Sequence, residues 1–164
     1  MIFINKKHNS IIYNTLLTLS RNLYFYNKVF LKDTFETRIY LMFIHFSIIL
    51  IIFKKLKVKF SQKSYDNLFH SIENNLRELG FGDVAVNKKM KELNKILYDI
   101  LLKVNKSDTD VVINKDLIIK YFPQLDDLNS KKYELFNQYF INFYHFCFEL
   151  NHKSVIKDAL KFKI

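Results

Sequence analysis

The segment IYLMFIHFSIILIIF, residues 39–53, is the most apolar stretch of the sequence, and its environment decides between two classes of fold. Arg38 precedes it, and Lys54 and Lys55 follow it. As an α-helix, its 15 residues would measure about 22 Å, short of the roughly 30 Å hydrocarbon core of a bilayer. A helix that is apolar on all sides can also be the centre of a bundle. We therefore expect a buried central helix, with a transmembrane span as the less favoured alternative.

Residues that form turns are scarce on both sides of this segment. The chain of 164 residues has two Gly and one Pro, whereas globular proteins average roughly 7% and 5%. Tight hairpins and Gly-rich phosphate loops both need glycine at their turns. The scarcity therefore predicts an all-α fold, a compact single-domain bundle of about six or seven helices over residues 1–164.

Apolar residues recur at helical spacing along most of the chain. This periodicity predicts helices over residues 10–30, 35–53, 64–79, 87–103, 114–122, 130–150 and 153–161. Between two of these helices, residues 104–113 are polar and acidic, and we expect a mobile loop there.

Several residues are predicted to define the ends of these helices. Asp33 and Glu36 have the spacing of a capping box, in which each side chain bonds a free backbone N–H group. Gly80 lies where a left-handed C-terminal cap is expected, and Asn87 is expected to cap the next helix. Asp83 would accept hydrogen bonds from N–H groups at the start of that helix and so fix the angle between the two helices.

The positive charge of the chain is concentrated in its N-terminal third. The net charge is +10, and residues 1–64 contain 11 Lys or Arg against 2 acids. Such asymmetry predicts an anionic partner, either a membrane surface, RNA or a ribosome, although compositional drift on a solvated face is an equal alternative. The first ten residues lack the pattern of a secretory signal, so we expect none.

The sequence contains no recognisable catalytic motif. It has no nucleophile elbow, Walker A loop or dinucleotide fingerprint, and we expect neither an enzyme nor a small-molecule substrate nor a cofactor. His145 and Cys147 lie two residues apart, on different faces of a helix, so they do not converge on a metal ion. His45 lies within the apolar helix, where a core or interface histidine is the default interpretation.

The strongest motif is the block NLRELGFGDVAVNKKMK, residues 75–91. It resembles the signature of the ubiquinol-cytochrome c chaperone family, which has a helix ending in Asn-Leu-Arg-Glu, then Gly-x-Gly-Asp, then a basic helix start. A second family pattern is matched upstream, in the right order, by Arg21, Phe25-Tyr26, Asp33-Thr34, Arg38 and His45. Together the two patterns cover roughly residues 15–103.

The sequence departs from the upstream pattern at several positions. Leu23 replaces a usual proline, Thr37 replaces a usual glycine, and Ile39-Tyr40 replaces a Phe-Glu pair. The missing glutamate removes any polar contact that this position makes in relatives. The block from Arg77 to Lys91 is intact.

The resemblance implies a chaperone that binds newly made cytochrome b during assembly of the cytochrome bc1 complex. Relatives work with a small partner protein and near the ribosomal exit tunnel, which adds both as candidate partners. The implied location is cytoplasmic or peripheral at the inner membrane, on the matrix side in a eukaryote. A basic helical RNA- or ribosome-binding module is the alternative function, motivated by the charge of residues 1–64.

The candidate partner-binding residues come from the two matched patterns. They are Arg38, His45, Arg77, Gly80, Gly82, Asp83, Lys88 and Lys89. Arg38 and His45 are seven apart on one helix face, so they are expected to line one wall of an apolar, aromatic groove with a basic rim. The alternative is that Arg38 pairs with a nearby acid and His45 packs in the core. The turn from Gly80 to Lys91 is either a partner-binding corner or purely structural.

Overall fold

The computed structural model describes residues 10–106 and 110–164, and over these residues the predicted all-helical fold is confirmed. The helices are α1 (Ile11–Ser20), α2 (Leu23–Asn27), α3 (Phe35–Lys55), α4 (Gln62–Glu78), α5 (Asp83–Lys103), α6 (Lys115–Tyr121), α7 (Lys131–Phe148) and α8 (Val155–Asp158). Short 3-10 turns cover Pro123–Leu125 and Ala159–Lys161.

Helix α3, which contains the apolar segment, is the centre of the core. It packs against α1, α5 and α7, and most of its side chains are buried. By length and composition alone α3 could cross a membrane, but 67% of its apolar window is buried inside the protein. The expectation of a buried central helix is therefore confirmed.

The continuous helix predicted over residues 10–30 is wrong, because the chain breaks between α1 and α2. The Ser20 hydroxyl donates to the Leu17 carbonyl at 2.7 Å, and the Asn22 side chain accepts from the Tyr24 N–H at 3.0 Å. Such short polar side chains offer the backbone an alternative to the helical hydrogen bond. Apolar spacing continues across the break, so periodicity alone did not reveal it.

The loop predicted over residues 104–113 is also wrong in part. Strands β1 (Val104–Lys106) and β2 (Val111–Ile113) form an antiparallel pair with Val104 opposite Ile113, while residues 107–109 lie outside the described part. Val104, Val111 and Ile113 are buried against the helices. Alternate burial along β2 is the pattern of a half-buried strand, too short here to stand out in the sequence.

Two predicted N-terminal caps are corrected. Thr34, rather than Asp33, caps α3 by accepting from the Thr37 N–H at 3.1 Å. Helix α5 begins at Asp83, four residues before the predicted cap at Asn87, and its N-cap is Gly82 without a side-chain hydrogen bond. Asp83 is thus the first residue of the helix and not its cap. The left-handed cap at Gly80 is confirmed, with φ of 95°.

Candidate partner-binding surface

His45 lies in the core between α3 and α7, with no exposed surface. Its Nδ1 is 2.7 Å from the Leu41 carbonyl, and its Nε2 is 3.0 Å from the Tyr139 hydroxyl. Since a carbonyl only accepts, Nδ1 carries the proton and Nε2 accepts from Tyr139. Phe140 and Phe143 pack edge-on against the ring at about 5 Å. Both ring nitrogens are satisfied by the protein itself.

The enclosure of His45 determines its charge. Burial lowers the pKa of the imidazole to about 4, only partly opposed by the hydrogen bond to the Leu41 carbonyl. The ring is therefore neutral at physiological pH. The expectation that His45 and Arg38 line one wall of an exposed groove is wrong, because an uncharged and fully buried ring reaches no partner.

Arg38 lies one helical turn into α3, half-buried, at the edge of a shallow pocket of about 350 Å³. Its Nε donates to Asp33 Oδ1 at 2.7 Å, and this guanidinium holds the pKa of the Asp33 carboxyl below its usual value. Arg21 and the exposed Leu23 line the same pocket. Arg38 thus pairs with a nearby acid, as the structural alternative predicted, and part of its side chain also faces solvent.

The turn between α4 and α5 is held by an ion-pair network on its outer surface. Arg77 donates to Glu73 at 3.1 Å, within α4, and to Asp83 at the start of α5. Gly80 reverses the chain in the left-handed conformation, and its N–H bonds the Arg77 carbonyl at 3.0 Å. Gly82 then leads into α5. Both glycines and Asp83 are exposed, and a Cβ at either glycine would meet nothing within 4 Å.

The two lysines of the motif differ in their surroundings. Lys88 is exposed, whereas Lys89 is half-buried between Glu36, 3.9 Å away on α3, and Glu92, 3.8 Å away on α5. Lys89 therefore ties the start of α5 to the start of α3. Burial raises the pKa of the Tyr13 hydroxyl, and Arg21 and Glu78, at the end of α4, both lie near enough to affect it. The candidate residues other than His45 thus belong to helix ends gathered at one end of the bundle.

Sequence reasoning missed the apolar part of this surface. Leu79, Phe81 and Val84 are 56%, 44% and 85% exposed, three large apolar side chains within six residues. The signal was present, because Val84 lies on the opposite face of α5 from the buried Val86 and Leu93. We call Leu79, Phe81 and Val84, with Arg77, Asp83 and Lys88 around them, the corner.

The single cysteine and the potential metal ligands of the described residues were the two candidates for reactive chemistry, and neither forms such a site. Burial raises the pKa of the Cys147 thiol to about 12, so it is not a nucleophile at neutral pH. Within residues 10–106 and 110–164, no three His, Cys, Asp or Glu side chains are placed to hold a metal ion. A helical bundle with an exposed apolar and charged corner belongs to the class of helical binding proteins.

Comparison with known protein families identifies the family within this class. The model of the ubiquinol-cytochrome c chaperone family matches residues 27–114, which make up more than half of the chain. The chain therefore belongs to the ubiquinol-cytochrome c chaperone family. Searches of curated proteins and of solved structures find no match. Family membership supports a chaperone role in assembly of the cytochrome bc1 complex and suggests a protein without catalytic activity.

Proposed function

We propose that the chain binds newly made cytochrome b at the corner during biogenesis of the cytochrome bc1 complex. The observation that carries this is the exposure of Leu79, Phe81 and Val84 inside the segment that matches the family. Clustered exposed apolar side chains with a polar rim are typical of protein-binding sites. A client rich in apolar helices needs such a surface, because charge alone does not shield its side chains from water.

The first test is capture of cytochrome b co-expressed with the tagged chain. We expect Phe81→Ser with Val84→Ser to reduce capture by roughly tenfold, as expected for central apolar contacts. The control is Ile11→Ser with Leu160→Ser, which changes two other exposed apolar residues, 64% and 42% accessible, away from the corner. Equal capture by both variants would contradict the proposed site.

The charged residues are tested in the same assay. Arg38→Ala with Arg77→Ala should retain the helical circular dichroism spectrum, because the three ion pairs of these arginines lie at the surface. The variant should lose capture if the arginines contact the client. Undiminished capture by this folded variant would mean that the two arginines serve the fold alone. Deletion of the gene should lower the amount of cytochrome b and the activity of the bc1 complex.

The proposal extends to partners and location. A small partner protein and the ribosome are further candidates, and the proposed location is the cytoplasm or the inner face of the inner membrane. The competing function is an RNA- or ribosome-binding module, favoured by the 11 basic residues against 2 acids in residues 1–64. A steep fall of RNA affinity with salt, in a chain that does not capture cytochrome b, would favour this competitor.

A further inference from the structure

The end of α3 opposite the corner leads into a strongly basic segment. Residues 54–63 contain five lysines, at positions 54, 55, 57, 59 and 63, and no acid occurs between residues 37 and 65. All five lysines are exposed, and in the described part of the chain none of them forms an ion pair. No carboxylate of residues 10–106 or 110–164 therefore neutralises their charge.

A cavity of about 470 Å³ opens beside these lysines, between α3, α5 and β1. Leu50, Ile51 and Leu101 provide its apolar wall, and Lys54 and Lys55 stand at its edge. Ser47, Val104 and Asn105 are the other lining residues in the described part of the chain, and none of the described lining residues is a carboxylate. The cavity thus combines an aliphatic interior with a positive edge.

Apolar side chains also project into solvent next to the cavity. Leu56, between the lysines, is 39% exposed, and Leu102, which follows the cavity residue Leu101, is 76% exposed. Tyr98, one turn before Leu102, is 59% exposed. The surface is therefore amphipathic, with aliphatic and aromatic side chains among cationic ones.

The backbone holds the lysines in place. Lys57 has φ of 55°, its N–H bonds the Lys54 carbonyl at 3.1 Å, and the Val58 N–H bonds the Phe53 carbonyl at 3.0 Å. This pair of bonds is a Schellman motif, which closes the helix end tightly. Lys55 Nζ lies 4.2 Å from the centre of the Phe148 ring and 3.4 Å from the Tyr144 hydroxyl. The basic segment is therefore an ordered surface.

We call the five lysines of residues 54–63, with Leu56 and Leu102, the lysine–leucine surface, and we propose that it binds a bilayer that contains anionic phospholipids. The lysines would contact headgroup phosphates, while Leu56 and Leu102 would enter the interfacial layer. A lipid surface fits better than RNA, because RNA phosphates would meet the lysines and leave the two leucines exposed. Helix α3 has 21 residues and is about 30 Å long, so this surface and the corner are separated by the length of the bundle.

The test measures sedimentation of the purified full chain with vesicles of phosphatidylcholine, with or without phosphatidylglycerol. We expect binding only to vesicles that contain phosphatidylglycerol. Lys54→Glu with Lys57→Glu should weaken this binding about 25-fold, because each lysine near an anionic surface contributes about fivefold or more to the affinity. Lys28→Glu with Lys131→Glu makes the same change in net charge at exposed lysines elsewhere and should bind nearly as wild type. Leu102→Ser should weaken binding without changing the charge.

Three outcomes would overturn the proposal. The first is equal vesicle binding by the two lysine variants, and the second is unchanged vesicle binding by Leu102→Ser. The third is that Lys54→Glu with Lys57→Glu loses RNA binding while its vesicle binding stays intact. Circular dichroism of each variant confirms that it is folded. No cytochrome b is present in the assay, so its result is independent of the proposed client site.

Discussion

At the scale of single residues, His45 has the environment with the clearest consequence for stability. Its ring is enclosed by Phe25, Tyr139, Phe140 and Phe143, and both of its nitrogens bond protein atoms. The neutral form is therefore part of the native structure. A histidine in the family pattern thus serves the packing of α3 against α7.

The depressed pKa of His45 predicts a loss of stability in acid. The folded pKa is about 4 and the unfolded pKa about 6.5, so the unfolded state binds the proton more readily as the pH falls below about 6.5. The free energy of unfolding should fall by about 2 kcal/mol between pH 8 and pH 5 on this account. Urea denaturation at both pH values measures it.

The matched variant for this measurement is His45→Asn. Its amide can still donate to the Leu41 carbonyl, but it does not titrate. We expect the variant to be less stable than the wild type, and its stability to change less between pH 8 and pH 5. The remaining histidines are common to both proteins, so the difference in pH dependence reports on His45. The same pH dependence in the variant would show that His45 is not the responsible group.

At the scale of secondary-structure elements, α3 and α4 end in the same way with different residues. Each has a Schellman motif, with Lys57 in the left-handed position after α3 and Gly80 in that position after α4. The left-handed conformation costs a side chain with Cβ about 1 kcal/mol or more, and it costs glycine little. The end of α3 therefore carries strain that the end of α4 avoids.

Exchanging the residue types at these two ends should change stability in opposite directions. Gly80→Ala should lower the free energy of unfolding by about 1 kcal/mol, and Lys57→Gly should raise it by up to about 1 kcal/mol. Gly82→Ser is the control, because φ of −74° suits any residue and serine is a good N-cap. Chemical denaturation measures all three, and a Gly80→Ala variant as stable as wild type would refute the argument.

At the scale of the whole molecule, the core extends well beyond the segment that matches the family. Residues 27–114 include α3, α4 and α5, whereas α1 and α7 lie outside. Yet α7 supplies Phe136, Tyr139, Phe140 and Phe143, all with no exposed surface, and they belong to the same core cluster as α3. The matched segment alone would leave much of the apolar surface of α3 in water.

We therefore expect a fragment of residues 27–114 not to fold cooperatively. It would lose the partners of His45 and one side of the core, and burial of apolar surface is the main stabilising contribution. Thermal unfolding followed by circular dichroism should be gradual for the fragment and sigmoidal for the full chain. A sigmoidal transition in the fragment would show that the family segment is a domain by itself.

The sequence by itself determined the helical class, the buried central helix and the turn at Gly80. Each follows from local information: few turn residues, apolar spacing, and a glycine where the backbone needs positive φ. It also located the charged half of the corner, Arg77, Asp83 and Lys88, and seven of the eight candidate residues lie at that end of the bundle or tie to it. The partner role of those residues stays a prediction.

Only the tertiary structure decided the break after α1, the strand pair, the enclosure of His45 and the exposure of Leu79 and Phe81. His45 is buried by α7, which lies more than 80 residues away in the chain, with Tyr139 its hydrogen-bond partner across 94 positions. The lysine–leucine surface likewise combines the end of α3 with the end of α5. Periodicity shows which face of a helix is apolar, but the elements packed on that face determine which apolar side chains stay in water.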